Sequence, residues 1–166
     1  LTENLGYYLG LYNTWSSYGV ESDGIVIAYT SVYGHTKTAV ELLAKKLEAS
    51  GCPKVVLRDL ARCDMPEAVA DAFMLPTTVL ATTTYNAGIF PFMREFIDML
   101  TERGFRNRRI AFIENGSWAS VAAKTMRSML EGSKDLTFAD TTVTIKSALN
   151  EKSLAELDSL AAELCG

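Results

Sequence analysis

Short apolar runs recur along the chain, and between them apolar residues return every three or four positions. The runs are typical of strands buried on both faces of a parallel sheet. The fifth run is weaker than the others and suits an edge strand. We predict strands at Ile25–Tyr29, Val55–Leu57, Thr78–Ala81, Ile110–Ile113 and Val143–Ile145.

The intervals between the runs have the spacing of amphipathic helices. In the first of them Val40, Leu43 and Leu47 fall on one helical face, and Gly51 and Pro53 end the pattern. Helices are predicted around residues 40–47, 66–73, 92–99, 122–129 and 154–164.

This βαβαβαβαβα alternation predicts one α/β domain, a doubly wound five-stranded parallel sheet with helices on both faces. In such sheets ligands bind beyond the carboxyl ends of the strands. The segments that follow Tyr29, Ala81 and Ile113 are therefore the candidate site.

Composition narrows the possible functions. A net charge of −4 argues against nucleic acid as the main partner, and the longest uncharged stretch, residues 72–93, is interrupted by two prolines and does not suit a membrane-spanning helix. The single histidine, His35, excludes a His-rich metal site in this chain. Three cysteines without C-x-x-C spacing make a disulfide framework unexpected, so we expect a protein of the reducing cytoplasm.

Residues 1–23 differ in kind from the rest, because they are rich in aromatic side chains and lack a strand pattern. We interpret them either as a helical extension that packs on its own domain or as a connector to another domain. The chain begins with Leu1 rather than Met and has no signal-peptide pattern, so we expect a piece of a longer protein.

The segment after the first strand has the chemistry of a phosphate site. It consists of Thr30, Ser31, Val32, Tyr33, Gly34, His35 and Thr36. Its hydroxyls can donate to phosphate oxygens, its glycine permits close approach, and the helix that follows adds backbone N–H groups. The alternative is an ordinary helix cap with Thr36 as N-cap. The segment is neither a Walker A nor a G-x-G-x-x-G motif, and His35 is given no acid–base role.

The segments after the third and fourth strands are polar, and each carries one aromatic ring. They comprise Thr82, Thr83, Thr84, Tyr85, Asn86, Ala87 and Gly88, and Glu114, Asn115, Gly116, Ser117 and Trp118. Such segments suit a neutral planar ring, bonded at its edge by backbone groups and flanked by Tyr85 and Trp118. Each aromatic also has a simpler interpretation when it is considered alone. Tyr85 is then a residue at the rim of the site, and Trp118 is the first residue of a packed helix.

Together the three segments resemble the flavin loops of flavodoxin-like FMN-binding domains, over residues 24–165. The resemblance implies FMN as cofactor and the strand order 2-1-3-4-5. The greatest likeness is to the C-terminal domain of flavodiiron proteins, also called A-type flavoproteins. Thr84–Pro91 is similar to their second flavin loop, 114–118 to their third, and Tyr12–Ser16 to their interdomain connector. His35 departs from the family pattern.

The resemblance implies an electron-transfer domain at 24–166 preceded by a linker at 1–23, with no catalytic or metal-binding residue of its own. Electrons would come from a rubredoxin-like protein or a flavin reductase. They would pass to a diiron centre in a metallo-β-lactamase-like domain of the same parent protein, an oxidoreductase that reduces oxygen or nitric oxide. The full-length protein would form a head-to-tail homodimer.

Other functions stay open. A free-standing short-chain flavodoxin and an FMN-dependent NAD(P)H or quinone reductase share these features. A receiver domain is disfavoured because threonine and serine stand where it needs acidic residues. A flavin-free docking module would use a basic cluster of Arg103, Arg106, Arg108 and Arg109, for which a solvated loop is the plainer interpretation.

Overall fold

The computed structural model describes residues 23–32, 34–86, 88–116, 120–146 and 148–165, in which strands and helices alternate. The strands are β1 (Ile25–Tyr29), β2 (Val55–Asp59), β3 (Thr77–Tyr85), β4 (Gly88–Ile89), β5 (Arg109–Asn115) and β6 (Thr137–Ile145). The helices are α1 (His35–Ala49), α2 (Met65–Met74), α3 (Pro91–Glu102), α4 (Ala122–Met129) and α5 (Glu151–Cys165). Among the described residues no helix is long and apolar enough to cross a bilayer. The predicted linker lies outside them, apart from Asp23.

Five parallel strands form the sheet in the order β2-β1-β3-β5-β6. This confirms the predicted α/β class, and the order of these five is the predicted 2-1-3-4-5. A sixth strand was not predicted: β4 pairs antiparallel with the end of β3, with Thr84 opposite Ile89 and Tyr85 opposite Gly88. Two residues are too few to produce a recognisable strand pattern.

Both faces of the sheet are buried, which explains why its strands read as continuous apolar runs. Val26, Leu80 and Phe112 point to the face covered by α2, α3 and α4. Their neighbours Ile27 and Val79 point to the other face, covered by α1 and α5. The carboxyl ends of β1, β3 and β5 therefore lie side by side at one edge, between the two helical layers.

At the candidate site β3 and β5 run further than the sequence predicted. β3 continues through the threonines to Tyr85, and β5 continues through Glu114 to Asn115. Thr82 pairs with Glu114 and Thr83 with Asn115 in the parallel ladder. The prediction that these strands end at Ala81 and Ile113 is therefore wrong. Threonine is polar but β-branched, and it suits a strand as well as a loop.

The cysteines are also arranged differently from the prediction. Cys52, after α1, and Cys165, the last residue of α5, form a disulfide, with Cα atoms 6.3 Å apart. Cys63 is a free thiol. The bond joins positions separated by 113 residues, so no local spacing in the sequence could indicate it.

Candidate functional site

The carboxyl ends of β1, β3 and β5 bring the three predicted segments together. The Thr30 amide, just past β1, donates to the Ala81 carbonyl of β3 at 3.0 Å. Below that point the strands are in register, with Tyr29 beside Ala81 and Ala81 beside Ile113. The edge thus places the first segment next to the second and the second next to the third.

The first segment is ordered around the hydroxyl of Ser31. Its oxygen accepts the amide hydrogens of Gly34 at 3.1 Å and of Lys37 at 3.3 Å. Gly34 is the N-cap of α1 with φ +86°, a conformation that favours glycine, and a Cβ there would have no atom within 4 Å. Open space therefore adjoins the start of α1, where first-turn N–H groups lack helical partners and the helix dipole favours an anion.

Two buried side-chain hydrogen bonds connect the three segments. The hydroxyls of Thr30 and Thr82 lie 2.6 Å apart, which joins the ends of β1 and β3. The side-chain amide of Asn115 donates to the Thr36 hydroxyl at 3.3 Å, which joins the end of β5 to the first turn of α1. Thr30, Thr36 and Thr82 are at most 2% exposed. Their side chains therefore connect the segments rather than face solvent.

The end of β3 presents the exposed part of the site. The Tyr85 ring is 47% exposed and meets the Phe90 ring edge to face, with centroids 5.4 Å apart. Thr83 and Thr84 are half-buried, and Asn86 is exposed with φ +47°. An exposed aromatic beside half-buried hydroxyls is a surface on which a flat ring can stack and form hydrogen bonds.

Glu114 was predicted to belong to the ligand site, and the structure places its carboxylate elsewhere. The side chain is 8% exposed. One oxygen accepts the Ala123 amide at the start of α4 at 2.9 Å, and the other accepts the Thr144 hydroxyl of β6 at 3.0 Å. Glu114 therefore caps α4 and fixes it to the sheet, because β5 continues through it with its side chain on the α4 face.

Close backbone packing joins the second and third segments. A Cβ on Gly116 would lie 3.0 Å from the Ser120 hydroxyl and 3.2 Å from that of Thr84. The Thr84 oxygen also accepts the Val121 amide at 3.2 Å. The chain after β5 is thus held directly against the end of β3, and a Cβ at Gly116 would require the Ser120 and Thr84 hydroxyls to shift by a few tenths of an ångström.

The remaining predicted residues divide into two groups. Val32 and His35 are exposed beside the start of α1, and Gly88 belongs to β4. Tyr33, Ala87, Ser117 and Trp118 lie outside the described residues. Their proposed roles stay predictions.

The arginine cluster is only partly on the surface, because Arg103 is exposed whereas Arg106 and Arg109 are half-buried and Arg108 is buried. Arg108 is 3% exposed and donates to the Phe73 carbonyl in the last turn of α2 at 2.5 Å, while Arg109 donates to the Glu163 carbonyl. Burial lowers the pKa of Arg108 and raises the pKa of the Cys63 thiol. The described residues contain no group of His, Cys, Asp and Glu that could hold a metal ion.

A groove of about 650 Å³ lies between the β3–β4 hairpin and α3, and the sequence analysis did not predict it. The hairpin contributes Tyr85, Asn86 and Gly88, and α3 contributes polar side chains that include Arg94 and Asp98. Only the helical spacing of the α3 charges could have suggested it. The groove meets the candidate site at Tyr85.

Comparison with known proteins places this geometry in a fold class. No family model matches the chain. Rubredoxin:oxygen oxidoreductase from Desulfovibrio gigas superposes with a TM-score of 0.83 at 18% identity, over 92% of this chain and 38% of that one. Flavodoxin 1 from Bacillus cereus superposes with a TM-score of 0.73 at 12% identity, over 86% of this chain and 96% of that one. The chain therefore has the flavodoxin-like fold.

Sequence comparison points to one group within that class. The chain is 24% identical over 123 residues to the anaerobic nitric oxide reductase flavorubredoxin of Escherichia coli. The match covers 73% of this chain but only 25% of that relative. The chain thus matches the flavodoxin domain of flavodiiron proteins and spans about a quarter of the length of such relatives.

Proposed function

We propose that the chain binds FMN at the carboxyl edge of its sheet and transfers electrons as the flavin domain of a flavodiiron protein. The proposal rests on one observation, that the three predicted segments meet at the carboxyl edge of the sheet. A segment suited to an anion lies beside an exposed aromatic and polar backbone on two neighbouring strands. Flavodoxins and flavodiiron proteins, which share this fold, bind FMN.

The hydrogen-bond donors at the start of α1 fit the phosphate of FMN. Residues 30–36 contain no lysine or arginine, so the anion would be held by first-turn amides of α1 and by nearby hydroxyls. The open space beside Gly34 allows a phosphate to approach the backbone, whereas a side chain there would enter that space. Ser31 would order this segment through its bonds to Gly34 and Lys37 rather than act as the sole ligand.

The second and third segments would hold the ring. Backbone groups of the segment from Thr82 to Gly88 would form hydrogen bonds to its polar edge, and Tyr85 would flank one face. When bound, FMN would supply the redox chemistry, and the protein would bind it and tune its potential. Trp118 is proposed for the other face and Glu114 is withdrawn as a side-chain ligand, because its carboxylate already has two partners.

The parent protein's activity is a further part of the proposal. The curated relative is a nitric oxide reductase, and the Desulfovibrio neighbour a rubredoxin:oxygen oxidoreductase. We infer a diiron domain elsewhere in the parent protein, a rubredoxin-like or flavin reductase donor, oxygen or nitric oxide as acceptor, and a homodimer. Residues 1–23 would be the connector and 24–166 the flavin domain. The cytoplasmic location expected from the cysteines loses that support, because Cys52 and Cys165 form a disulfide.

Titration with two flavins tests the binding proposal. FMN and riboflavin share the ring and differ in the phosphate, so we expect tight FMN binding and much weaker riboflavin binding. Quenching of flavin fluorescence and the visible spectrum report both. Equal affinity for the two would contradict the phosphate assignment, and binding of neither would contradict the proposed function.

A free-standing flavodoxin is the second candidate. The chain covers 96% of the Bacillus flavodoxin, so the fold is sufficient for an independent carrier. The natural reading frame decides between the two. A diiron domain encoded directly upstream would support the flavodiiron proposal, whereas a start codon near residue 1 would support the carrier.

A further inference from the structure

The Cys52–Cys165 bond lies beside a cavity at the amino edge of the sheet, away from the candidate flavin site. The cavity has a volume of about 340 Å³, and its lining includes both cysteines as well as Gly24 and Thr77, at the starts of β1 and β3. Both cysteines are half-buried rather than enclosed. A small thiol therefore has room to approach the two sulfur atoms.

The bond ties the last turn of α5 to the segment after α1. The Cys52 amide donates to the Leu47 carbonyl at 3.1 Å, which holds this segment against α1. The two helices are also joined by the ion pair of Lys46 with Asp158, about two turns earlier in α5. The Asp158 side chain is 65% exposed, so this ion pair contributes little to stability. The disulfide is therefore the stronger of these two ties.

The same turn of α5 holds the irregular part of β6. This part is a bulge, in which residues 139–141 lie opposite a single residue of β5. Glu163 lies two residues before Cys165 in α5. Its carboxylate accepts the amides of Asp140 and Thr141 at 2.6 and 3.0 Å. Because Glu163 and Cys165 share one helical turn, the bond that holds Cys165 also holds this carboxylate at the bulge.

A second contact of α5 with β6 lies far from the disulfide. The Glu156 carboxylate accepts the Thr144 amide at 2.9 Å. Glu156 precedes Cys165 by about two and a half helical turns. Loss of the covalent tie at the last turn therefore leaves this contact in place, and the carboxyl end of β6 stays attached to α5.

We propose that Cys52 and Cys165 form a reversible thiol–disulfide site, whose redox state determines whether the last turn of α5 holds the β6 bulge. The reductant is a dithiol. One of its thiolates attacks a sulfur of the bond and forms a mixed disulfide, and its second thiol then displaces the protein sulfur. Two electrons and two protons pass to the cysteines, and the dithiol becomes a disulfide. Neither step requires a bound flavin.

Accessibility favours a reversible role over a purely structural one. Exposed disulfides exchange with thiols more readily than enclosed ones, and in reducing compartments disulfides are usually transient or redox-sensing. Cys63 packs on the opposite face of the sheet, so it takes no part in the exchange. In the reduced chain the last turn of α5 is free to fray, as helix ends do, and the two bulge amides lose their acceptor.

Thiol counting on the native Cys63→Ser chain tests the chemistry. In buffer without denaturant, dithiothreitol should reduce the pair, and oxidised glutathione should then re-form the bond. Alkylation and mass spectrometry should find no thiol before reduction, two after it and none after reoxidation. The circular dichroism spectrum should stay nearly unchanged. Reduction that occurs only in unfolding concentrations of urea, or that itself unfolds the chain, would overturn the proposal.

Backbone ¹⁵N relaxation tests the coupling to β6. In the oxidised chain the amides of Asp140, Thr141 and Thr144 should all be rigid, with order parameters of about 0.85. Reduction should lower the values of Asp140 and Thr141 toward about 0.6 and leave that of Thr144 unchanged. Equal order parameters at the bulge in the two redox states would contradict the coupling, as would an equal loss at Thr144.

Variants separate the disulfide from the carboxylate. Cys165→Ser should reproduce the reduced state without any reductant, and Cys52→Ser provides the same test if that variant does not fold. Glu163→Gln keeps the disulfide but leaves one acceptor oxygen for two amides, so at least one of Asp140 and Thr141 should loosen. If both stay rigid in Glu163→Gln although reduction loosens them, Glu163 is not the link and the proposed coupling is wrong.

Discussion

At the scale of the residue, Thr78 and Thr82 of β3 differ in whether their buried hydroxyls have a partner. Both are 0% exposed. Thr82 bonds to Thr30, whereas the Thr78 oxygen is without a partner among the described residues. Valine has almost the same shape as threonine, so it removes the hydroxyl and leaves the packing in place.

We therefore expect opposite effects from the two substitutions. Thr78→Val should raise the free energy of unfolding by roughly 1 kcal/mol, because a buried polar group without a bond is costly. Thr82→Val should lower it by roughly 1 kcal/mol, because Thr30 loses its partner. Urea denaturation of the flavin-free protein measures both. Shifts in the same direction would contradict this account.

Tyr85 is the residue on which the flavin ring is predicted to stack. Its ring is exposed at the end of β3 and held by the edge of Phe90. Tyr85→Ala should weaken FMN and riboflavin alike by about 1–3 kcal/mol, the range for an aromatic stacked on a base. Tyr85→Phe should retain most of the affinity. Leu154→Ala removes an exposed apolar side chain of α5, 38% exposed, and serves as the control. Unchanged affinity in Tyr85→Ala would exclude stacking.

Residue types in the candidate site were predictable, but their partners were not. The sequence identified the hydroxyl-rich segments correctly as neighbours at one edge. Thr36 and Glu114 stay predicted residues of the ligand site, and the structure adds partners that the sequence did not indicate, because their side chains bond to Asn115, Ala123 and Thr144. The sequence shows which residues carry a hydroxyl or a carboxylate, but it does not show whether such a group binds a ligand or a neighbouring segment. Only the packed structure distinguishes the two.

At the scale of the element, strand cores were predictable and strand ends were not. Apolar runs located all five parallel strands, because burial on both faces requires apolar residues throughout. β6 begins at Thr137 rather than Val143, since its first half is only partly buried and its sequence is mixed. A polar strand end and a polar loop look alike in sequence.

The irregular edge strand β6 depends on a carboxylate from α5. Its register with β5 shifts between Ile110 and Phe112, where three residues of β6, 139–141, lie opposite the single residue Ala111 of β5. Within this bulge the amides of Asp140 and Thr141 donate to the Glu163 carboxylate at 2.6 and 3.0 Å. Glu163 thus satisfies backbone groups that the ladder leaves unpaired.

This arrangement predicts a pH dependence of stability. Desolvation raises the pKa of Glu163, but the Asp140 and Thr141 hydrogen bonds outweigh it, and the pKa lies below its ordinary value of 4.5. A carboxylate with a lowered folded pKa stabilises the protein above its unfolded pKa and loses that contribution as the pH falls through the folded value. Glu163→Gln should therefore be less stable than wild type at pH 7, with the difference shrinking below the ordinary pKa.

Thermal unfolding between pH 7 and pH 3 checks this expectation. Glu131→Gln alters an exposed carboxylate and should follow the wild-type profile. A Glu163→Gln variant whose deficit stays constant over the whole range would show that the charge of Glu163 is not responsible.

At the scale of the whole molecule, the alternation of elements predicted a doubly wound parallel sheet. Right-handed crossovers between buried parallel strands leave few arrangements, and the resemblance to flavodoxin-like domains selected among them. The disulfide could not be predicted from the order of elements or from the sequence spacing of the cysteines. Cys52 and Cys165 come together only because α1 and α5 pack side by side on one face of the sheet.

The Cys52–Cys165 bond should contribute substantially to global stability. It links the end of α1 to the last residue of α5, and a bond that closes a loop of this length restricts the unfolded chain strongly. Reduction should lower the free energy of unfolding by about 2–4 kcal/mol and the Tm by roughly 5–15 °C. Flavin binding at the opposite edge of the sheet should be retained below the lowered Tm.

Cysteine variants and a count of free thiols test whether the change in stability comes from loss of the Cys52–Cys165 bond. Cys52→Ser, Cys165→Ser and the double variant should share one lowered Tm, because each removes the same bond. Cys63→Ser removes the free thiol and should leave the Tm of the oxidised protein nearly unchanged. Alkylation of the unfolded, unreduced protein should label one cysteine, and three after reduction. Three labels without reduction, with no effect of reductant on the Tm, would contradict the bond itself.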